Sequence, residues 1–84
     1  MQAIIEQIST KFKRYYPNID VISDKKQYIT LDLDLSDFED GEYVITVYND
    51  NNEKIGEDII RIGEHKATKT EYKIEKKFTQ YVRK

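Results

Sequence analysis

The sequence predicts a mainly β protein built on an antiparallel sheet, and three observations support this fold class. Residues 27–35 alternate strictly between apolar and polar side chains, and residues 42–48 form a second alternating run. A tract of Asn and Asp at 49–52 separates that run from a third one. Alternation with period two is typical of half-buried strands, and Asn and Asp tolerate the backbone conformations of tight hairpin turns.

Charge divides the chain into three segments. Residues 1–17 carry a net charge of +2, residues 18–63 carry −8 and residues 64–84 carry +4. We interpret these segments as an amino-terminal helix or arm (1–17), a β domain (18–63) and an extended basic carboxyl-terminal arm (64–84). Basic ends and an acidic middle can pair within the chain, with a neighbouring copy or with a polyanion.

The amino-terminal segment has its apolar residues at helical spacing. The residues that share this face are Met1, Ile4, Ile5, Ile8, Phe12 and either Tyr15 or Tyr16. Spacings of three and four are typical of an amphipathic helix, and Pro17 would end it. A helix this short forms only when its apolar face is covered, so an extended arm is the alternative.

Four strands are predicted between residues 18 and 63. A short strand around Ile19–Ile22 precedes the clearest one, Gln27–Leu35. The strand Glu42–Tyr48 carries bulky side chains on both faces, and the return strand Lys54–Ile62 loses its alternation at Gly56. A glycine at such a slip indicates a β-bulge.

The carboxyl-terminal segment fits two periodicities. Tyr72, Ile74 and Phe78 share one face of an extended chain, whereas Ile74, Phe78 and Tyr81 also fit helical spacing. Its Thr and Tyr content favours an extended arm or strand. We expect this arm to lie along a neighbouring subunit, anchored by Tyr72, Ile74 and Phe78.

Composition excludes several classes of protein. The 84 residues include no Cys and one His, so disulfides, thiolate metal sites and histidine metal cages are excluded. Apolar runs do not exceed three residues, which excludes a membrane span and a signal peptide and predicts a cytosolic protein that is not exported by the usual route. A chain this short buries about 60–65% of its unfolded surface, so its stability is marginal and a partner is expected.

Catalysis is not expected. The acidic stretch from Asp32 to Glu42 contains carboxylate pairs, but its spacing does not fit a calcium-binding loop, and a solvated strand face and turn explains it. His65 is interpreted as a solvated loop residue. Phosphate-binding loops, nucleophile elbows and metal-ligand pairs are missing from the sequence, so we predict no enzyme activity, no cofactor and no metal.

Basic and aromatic residues alternate near both ends of the chain. We predict that the aromatic and apolar members bind a partner: Phe12, Tyr15, Tyr16, Tyr72, Ile74, Phe78 and Tyr81. The same combination would let single-stranded nucleic acid stack on the rings. The acidic middle opposes a polyanion, so packing against protein is favoured.

Residues 33–63 resemble the closing half of a small immunoglobulin-like β-sandwich. In such modules an apolar residue precedes an acidic-Gly-x-Tyr turn, and a hairpin follows the turn. Here Phe38 matches the apolar residue, and Gly41 and Tyr43 match the turn. The resemblance implies that Tyr43 anchors this turn by packing its ring and bonding its hydroxyl to upstream backbone. The fold class we expect is therefore a small antiparallel immunoglobulin-like partial sandwich, open at its edges.

The whole arrangement is similar to small virion proteins of tailed phages that infect gut Bacteroidetes, including the crAss-like group. The residues that carry this likeness are the turn, the hairpin ending in Arg61-Ile62-Gly63, and the charged tail reaching Gln80-Tyr81. The resemblance implies a non-enzymatic auxiliary capsid or decoration protein, made in the host cytoplasm and located in the virion. Its implied partners are the major capsid protein, other virion proteins or further copies of itself. We expect it to bind neither a membrane nor nucleic acid.

Two alternatives remain open from the sequence. One is a small cytosolic regulator that binds nucleic acid through the aromatic residues of both ends. The other is an inhibitor of a host enzyme whose acidic middle mimics nucleic acid.

Overall fold

The computed structural model describes residues 1–63 and 70–76, and this part of the chain forms strands without any helix. The strands are β1 (Gln2–Gln7), β2 (Lys13–Tyr16), β3 (Asp20–Asp24), β4 (Tyr28–Asp32), β5 (Gly41–Tyr48), β6 (Lys54–Ile62) and β7 (Glu71–Glu75). The predicted mainly β class with antiparallel pairing is confirmed.

The strands form two antiparallel sheets packed face to face. The four-stranded sheet has the order β2-β1-β5-β6, and the three-stranded sheet has the order β3-β4-β7. The sheets meet at β6 and β7, where Gly56 and Lys76 form a single bridge and the Glu75 amide donates to Asp58 Oδ2 at 3.2 Å. Among the described strands, β2 and β3 are therefore the open edges on the opposite side.

The inward faces of both sheets supply the hydrophobic core. Its buried apolar members are Ala3, Ile5, Ile19, Ile29, Leu31, Leu33, Leu35, Phe38, Tyr43, Ile45, Val47, Ile62, Tyr72 and Ile74. Most of them occupy every second position of a strand, because successive side chains of a strand point to opposite faces. The described residues thus form seven strands in two packed layers, more than the four strands that the sequence predicts between residues 18 and 63.

The predicted amino-terminal helix is wrong. Residues Gln2–Gln7 form β1, which pairs with β2 on one side and β5 on the other, so this segment is a central strand of the four-stranded sheet. Ala3, Ile5 and Gln7 face the core, while Ile4 lies on the outer face. Apolar residues on both faces of one strand produced the spacing that resembled a helix.

The carboxyl-terminal arm also requires correction in its described part. Glu71–Glu75 forms β7 and pairs along β4, with Ile74 opposite Ile29 and Tyr72 opposite Leu31. Tyr72 and Ile74 are buried in the core of their own chain, so they are not available as anchors on a neighbour. Residues 64–69 and 77–84, including Phe78, Tyr81 and His65, lie outside the described residues.

The strands predicted between residues 18 and 63 occur as β3, β4, β5 and β6. The tight turn at 49–52 is stabilised by Asn49, whose side-chain oxygen accepts from the amides of Asn51 and Glu53 at 2.8 and 3.0 Å. The bulge lies at Ile55, one residue from its predicted position, because Val47 pairs with Gly56 and Tyr48 with Lys54.

The likeness to the immunoglobulin fold is limited by strand order. In an immunoglobulin constant-type sandwich the first, second, fifth and fourth strands share one sheet, and the third, sixth and seventh share the other. Here the first, second, fifth and sixth strands share one sheet, and the third, fourth and seventh share the other. The chain has the two-sheet architecture with a different connectivity.

Candidate protein-interaction surface

The outer face of the four-stranded sheet carries apolar side chains that the core does not use. We call the set Ile4, Tyr15, Val44, Tyr48 and Ile59 the outer patch. Ile4 lies opposite Tyr15 and Val44 opposite Ile59, so two apolar cross-strand pairs stand diagonally adjacent on this face. Tyr15 is 56% exposed and Ile59 is 62% exposed, a large apolar exposure for a protein of this size.

Charged side chains of both signs lie among and beside the residues of the outer patch. Lys54 Nζ lies 2.7 Å from Glu57 Oε1, and Arg61 Nη2 lies 2.5 Å from Glu42 Oε2. Glu6, on the central strand β1, has Lys13 as its cross-strand neighbour on one side and Val44 on the other. The acidic and basic side chains of this face are equal in number, so their charges cancel.

A shallow depression of about 370 Å³ adjoins Ile59 on this face. Val44, Glu57, Asp58 and Ile59 line it. Asp58 is held by two backbone amides, those of Ile59 at 2.8 Å and Glu75 at 3.2 Å. The face thus combines a protruding side chain with a hollow next to it.

The outer face of the three-stranded sheet is polar. Strand β7 presents Glu71, Lys73 and Glu75, and β4 presents Tyr28, Thr30 and Asp32. The one large ring among these side chains, Tyr28, is covered by the Lys73 ammonium group at 4.6 Å from the ring centroid. Among the described residues, the outward positions of β4 and β7 therefore form no apolar cluster comparable with the outer patch.

Both open edges have features that discourage pairing with another strand. Strand β2 has four residues and is followed by Pro17, which lacks a backbone donor. Strand β3 is interrupted by a bulge between Val21 and Ser23 and begins and ends with Asp. Short strands, prolines, bulges and charges are the means by which proteins protect sheet edges. A sheet face is therefore better suited to a partner than either edge.

The β1–β2 hairpin presents part of the predicted basic-aromatic set to solvent. Phe12 is 49% exposed and Tyr15 lies on the outer patch, while Lys11 and Lys13 are exposed beside them. Lys11 adopts a φ of 65°, and the amide of Phe12 donates to Thr10 Oγ1 at 3.2 Å. This turn holds the Phe12 ring at the tip of the hairpin.

Arg14 connects this hairpin to the loop between β4 and β5. Its guanidinium lies 4.6 Å from the Phe38 ring centroid and 5.9 Å from that of Phe12, and Nη1 lies 3.0 Å from Asp37 Oδ2. The hydrogen bond to Asp37 raises the pKa of Arg14 above its ordinary value. Because Arg14 is already neutralised, it contributes little attraction for a polyanion.

A cavity of about 300 Å³ lies between the hairpin and this loop. Its walls are Gln7, Thr10, Phe12, Arg14, Asp37, Phe38, Glu39 and Tyr43. Phe12 and Tyr43 both pack edge-on against Phe38, with ring centroids 6.4 and 5.2 Å away. The Arg14 side chain is part of this aromatic cluster. The cluster packs the hairpin against the β4–β5 loop beside the cavity.

Tyr43 has the anchoring role that the resemblance implied. It is buried, and its hydroxyl donates to the backbone carbonyl of Glu39 at 2.6 Å. Burial raises the pKa of Tyr43, with smaller contributions from Glu39 and Asp40. Gly41 has a φ of 150°, and an added Cβ would lie 3.0 Å from Gln7 Nε2, so glycine suits this turn. Phe38 is buried against Tyr43 and completes the corner.

Tyr16 does not lie with the exposed aromatic residues. It occupies an inward position of β2, its hydroxyl is buried, and that hydroxyl has no hydrogen-bond partner among the described residues. Burial raises its pKa, and the nearby Arg14 guanidinium partly offsets that rise. Of the predicted partner-binding residues in the described ranges, Phe12 and Tyr15 are exposed, whereas Tyr16, Tyr72 and Ile74 face inward.

The sequence pattern does not reveal the outer patch as a unit. It predicts a helix at Ile4 and a separate strand at Ile59, and two such elements share no common face. The signal was the bulk on both faces of Glu42–Tyr48, since a strand at the middle of a sandwich needs only one apolar face.

The acidic stretch forms solvated strand and turn positions. Asp32, Asp34, Asp37 and Asp40 are exposed. Asp34 Oδ1 accepts from the Ser36 amide at 3.0 Å, and its hydrogen bonds with Ser36 lower the pKa of Asp34. Across residues 1–63 and 70–76, no group of three His, Cys, Asp or Glu side chains is arranged to hold a metal ion.

The search for membrane-spanning helices found none in the described part of the chain. Comparisons with models of protein families, with curated proteins and with solved structures found no match.

Proposed function

We propose that this chain is a non-enzymatic structural protein that acts by binding other proteins, and that its setting is a phage virion, where it serves as an auxiliary capsid protein. The observation that carries the binding role is the apolar exposure of the four-stranded sheet and its β1–β2 hairpin. The virion setting rests on the sequence resemblance alone. We take the likeness to immunoglobulin domains to extend only to the two packed sheets and the tyrosine corner.

The β1–β2 hairpin is the proposed contact with the capsid surface. Its tip combines the exposed Phe12 ring with Lys11 and Lys13, and Tyr15 continues the aromatic surface along β2. Aromatic residues bury large areas with little loss of side-chain freedom and are enriched at protein interfaces. Many identical capsid subunits would allow weak single contacts to act together.

The test begins with purified virions of the phage that encodes this chain. Mass spectrometry should detect the polypeptide at a reproducible ratio to the major capsid protein, and its consistent absence would refute the proposal. Capsids lacking the chain should bind the added protein in a sedimentation assay. Phe12→Ala should reduce that binding, whereas Tyr28→Ala on the opposite sheet is the matched control and should not.

The nucleic-acid alternative is favoured by one observation, namely that Lys11, Phe12, Lys13 and Tyr15 are exposed together on one hairpin. Fluorescence anisotropy with labelled single-stranded DNA and RNA at low salt distinguishes the two candidates. Binding that weakens steeply with added salt would favour nucleic acid, because each neutralised phosphate releases counterions. Under the capsid proposal the anisotropy stays flat.

A further inference from the structure

We infer that the outer patch is a self-association face, on which a second copy of this chain packs sheet against sheet about a two-fold axis. The inference deepens the proposed function, because it names the partner for one surface of a protein that acts through protein contacts. The hairpin tip at Phe12 lies at the end of the same sheet and stays available for a different contact.

The shape of the face is self-complementary. Ile59 protrudes, and the depression lined by Val44, Glu57 and Asp58 lies directly beside it. In a two-fold contact, residue i of one copy meets residue j of the other, and j meets i. A protruding Ile59 can therefore enter the hollow of the second copy while its own hollow receives the second Ile59.

The charges of the face also suit a second copy. This face carries three acidic and three basic side chains: Glu42 and Glu57 are paired with Arg61 and Lys54, and Glu6 has Lys13 as its cross-strand neighbour. A face whose charges cancel does not repel its own copy. On the three-stranded sheet, in contrast, Asp20, Asp32, Glu71 and Glu75 outnumber Lys73, so two such faces would repel each other.

The area sets the expected strength. Four strands about 4.8 Å apart and about 22 Å long present about 400 Å² per copy, so a contact removes about 800 Å² in total. Specific, stable interfaces bury about 1,200–2,000 Å², and smaller ones are weak and transient. The dimer is therefore reversible and depends on concentration, which suits a protein that assembles on a lattice.

Light scattering coupled to size-exclusion chromatography, run on the full chain over a concentration series, measures the association. The wild-type chain should shift from monomer to dimer as its concentration rises. Ile59→Glu should raise the dissociation constant by about a hundredfold or more, because each copy loses an apolar anchor and would bury a carboxylate. Ile59 is exposed in the single chain, so the variant should retain its circular dichroism spectrum and thermal midpoint.

Ile22→Glu is the matched control, because Ile22 is exposed on the β3 edge rather than on the outer patch. It should leave the dimer intact. A dimer that survives Ile59→Glu and is lost with Ile22→Glu would overturn the inference in favour of edge pairing. A chain that stays monomeric throughout the series would also overturn it.

Spin labels locate the interface independently, since the chain has no native Cys. Labels on Thr46→Cys, at the centre of the four-stranded sheet, should lie close together because packed sheets are about 10 Å apart. Labels on Thr30→Cys should lie far apart on the two distant faces. The reverse result would contradict the inference.

These outcomes are separable from the proposed function. A monomeric chain that is present in virions removes the self-association and leaves the capsid role. A dimeric chain that is absent from virions removes the capsid role and leaves the self-association.

Discussion

At the scale of single residues, two inward-facing tyrosines differ in the hydrogen bonding of their hydroxyl groups. The Tyr43 hydroxyl donates to the Glu39 carbonyl at 2.6 Å, whereas the Tyr16 hydroxyl is buried without a partner among the described residues. A hydrogen bond contributes about 1 kcal/mol to stability, while a buried group left unpaired lowers it. The two positions should therefore respond in opposite ways to removal of the hydroxyl.

Tyr43→Phe should lower the free energy of unfolding by about 1–2 kcal/mol, because it removes the bond that ties the β4–β5 loop to β5. Tyr16→Phe is the matched control and should leave the stability unchanged or increase it. Urea denaturation followed by circular dichroism measures both. Equal losses in the two variants would show that the corner bond has no special role.

The same burial predicts how stability depends on alkaline pH. Burial raises the pKa of Tyr16, Tyr43 and Tyr72 above the ordinary value of 10.0. As the pH rises above about 10, the unfolded chain loses these protons first, so it binds fewer protons than the folded chain and is favoured. The contribution to stability is fully present below that pH and decreases above it.

Denaturation at a series of alkaline pH values should show this decrease, and an ultraviolet titration should show tyrosines ionising together with unfolding. Tyr72→Phe removes one of the titrating groups and should flatten the decrease. A stability that stays constant while all tyrosines ionise would contradict the prediction.

At the scale of elements, the close approach of β6 and β7 joins the two sheets. Gly56 lies where an added Cβ would be 3.0 Å from the Glu75 carbonyl oxygen and 3.4 Å from Ile74 Cγ2. The nearest atom is backbone, which cannot move without shifting the strand. An added Cβ therefore forces β7 to move slightly away, so glycine suits the close packing at this position, for which the sequence pattern indicates only a bulge.

Gly56→Ala should destabilise the fold by about 1–3 kcal/mol, the range expected when extra volume is forced into a packed site. Gly63→Ala is the matched control, since nothing lies within 4 Å of the Cβ it would add. Thermal unfolding of both variants checks this. A loss in Gly63→Ala as large as that in Gly56→Ala would indicate a general effect of replacing glycine rather than the close approach.

Elements with one apolar face could be predicted, and those with two could not. Strand β4 has Ile29 and Leu31 inside and polar residues outside, so its alternation was unambiguous. Strand β1 has Ile4 outside and Ile5 inside, and it buries the polar Gln7, so its pattern imitated a helix. The outer patch could not be predicted for the same reason, because its residues on β1 and β5 belong to strands that have two apolar faces.

At the scale of the whole molecule, local sequence patterns do not show which distant strands pair with each other. Strand β7 was correctly favoured as extended, but its basic surroundings suggested a neighbouring subunit as its partner. The structure pairs it instead with β4 of the same chain, and Glu71, Lys73 and Glu75 point outward while Tyr72 and Ile74 fill the core. Charge counts describe the outer face of a strand and do not identify what its inner face covers.

This pairing reverses the expected result of a truncation. The division predicted from the sequence, a β domain followed by a separate carboxyl-terminal arm, implies that removal of residues 66–84 leaves the 27–63 sheet folded. In the structure, that removal deletes β7 and uncovers Ile29 and Leu31, both of which are fully buried. We therefore expect a chain ending at His65 to lose its cooperative unfolding transition, because the net stability of a small domain is only a few kcal/mol.

A point variant of the full chain gives the same information without removing a strand. Ile74→Ala should lower the free energy of unfolding by about 2–5 kcal/mol, the range for deleting a fully buried aliphatic side chain. Lys73→Ala is its neighbour on the outer face and should cost about 0.5–1 kcal/mol, through loss of its contact with the Tyr28 ring. Chemical denaturation of both variants, together with the thermal scan of the truncated chain, measures these effects. A truncated chain that unfolds cooperatively, with Ile74→Ala no less stable than Lys73→Ala, would show that β7 is dispensable and that Tyr72 and Ile74 are free to anchor a partner.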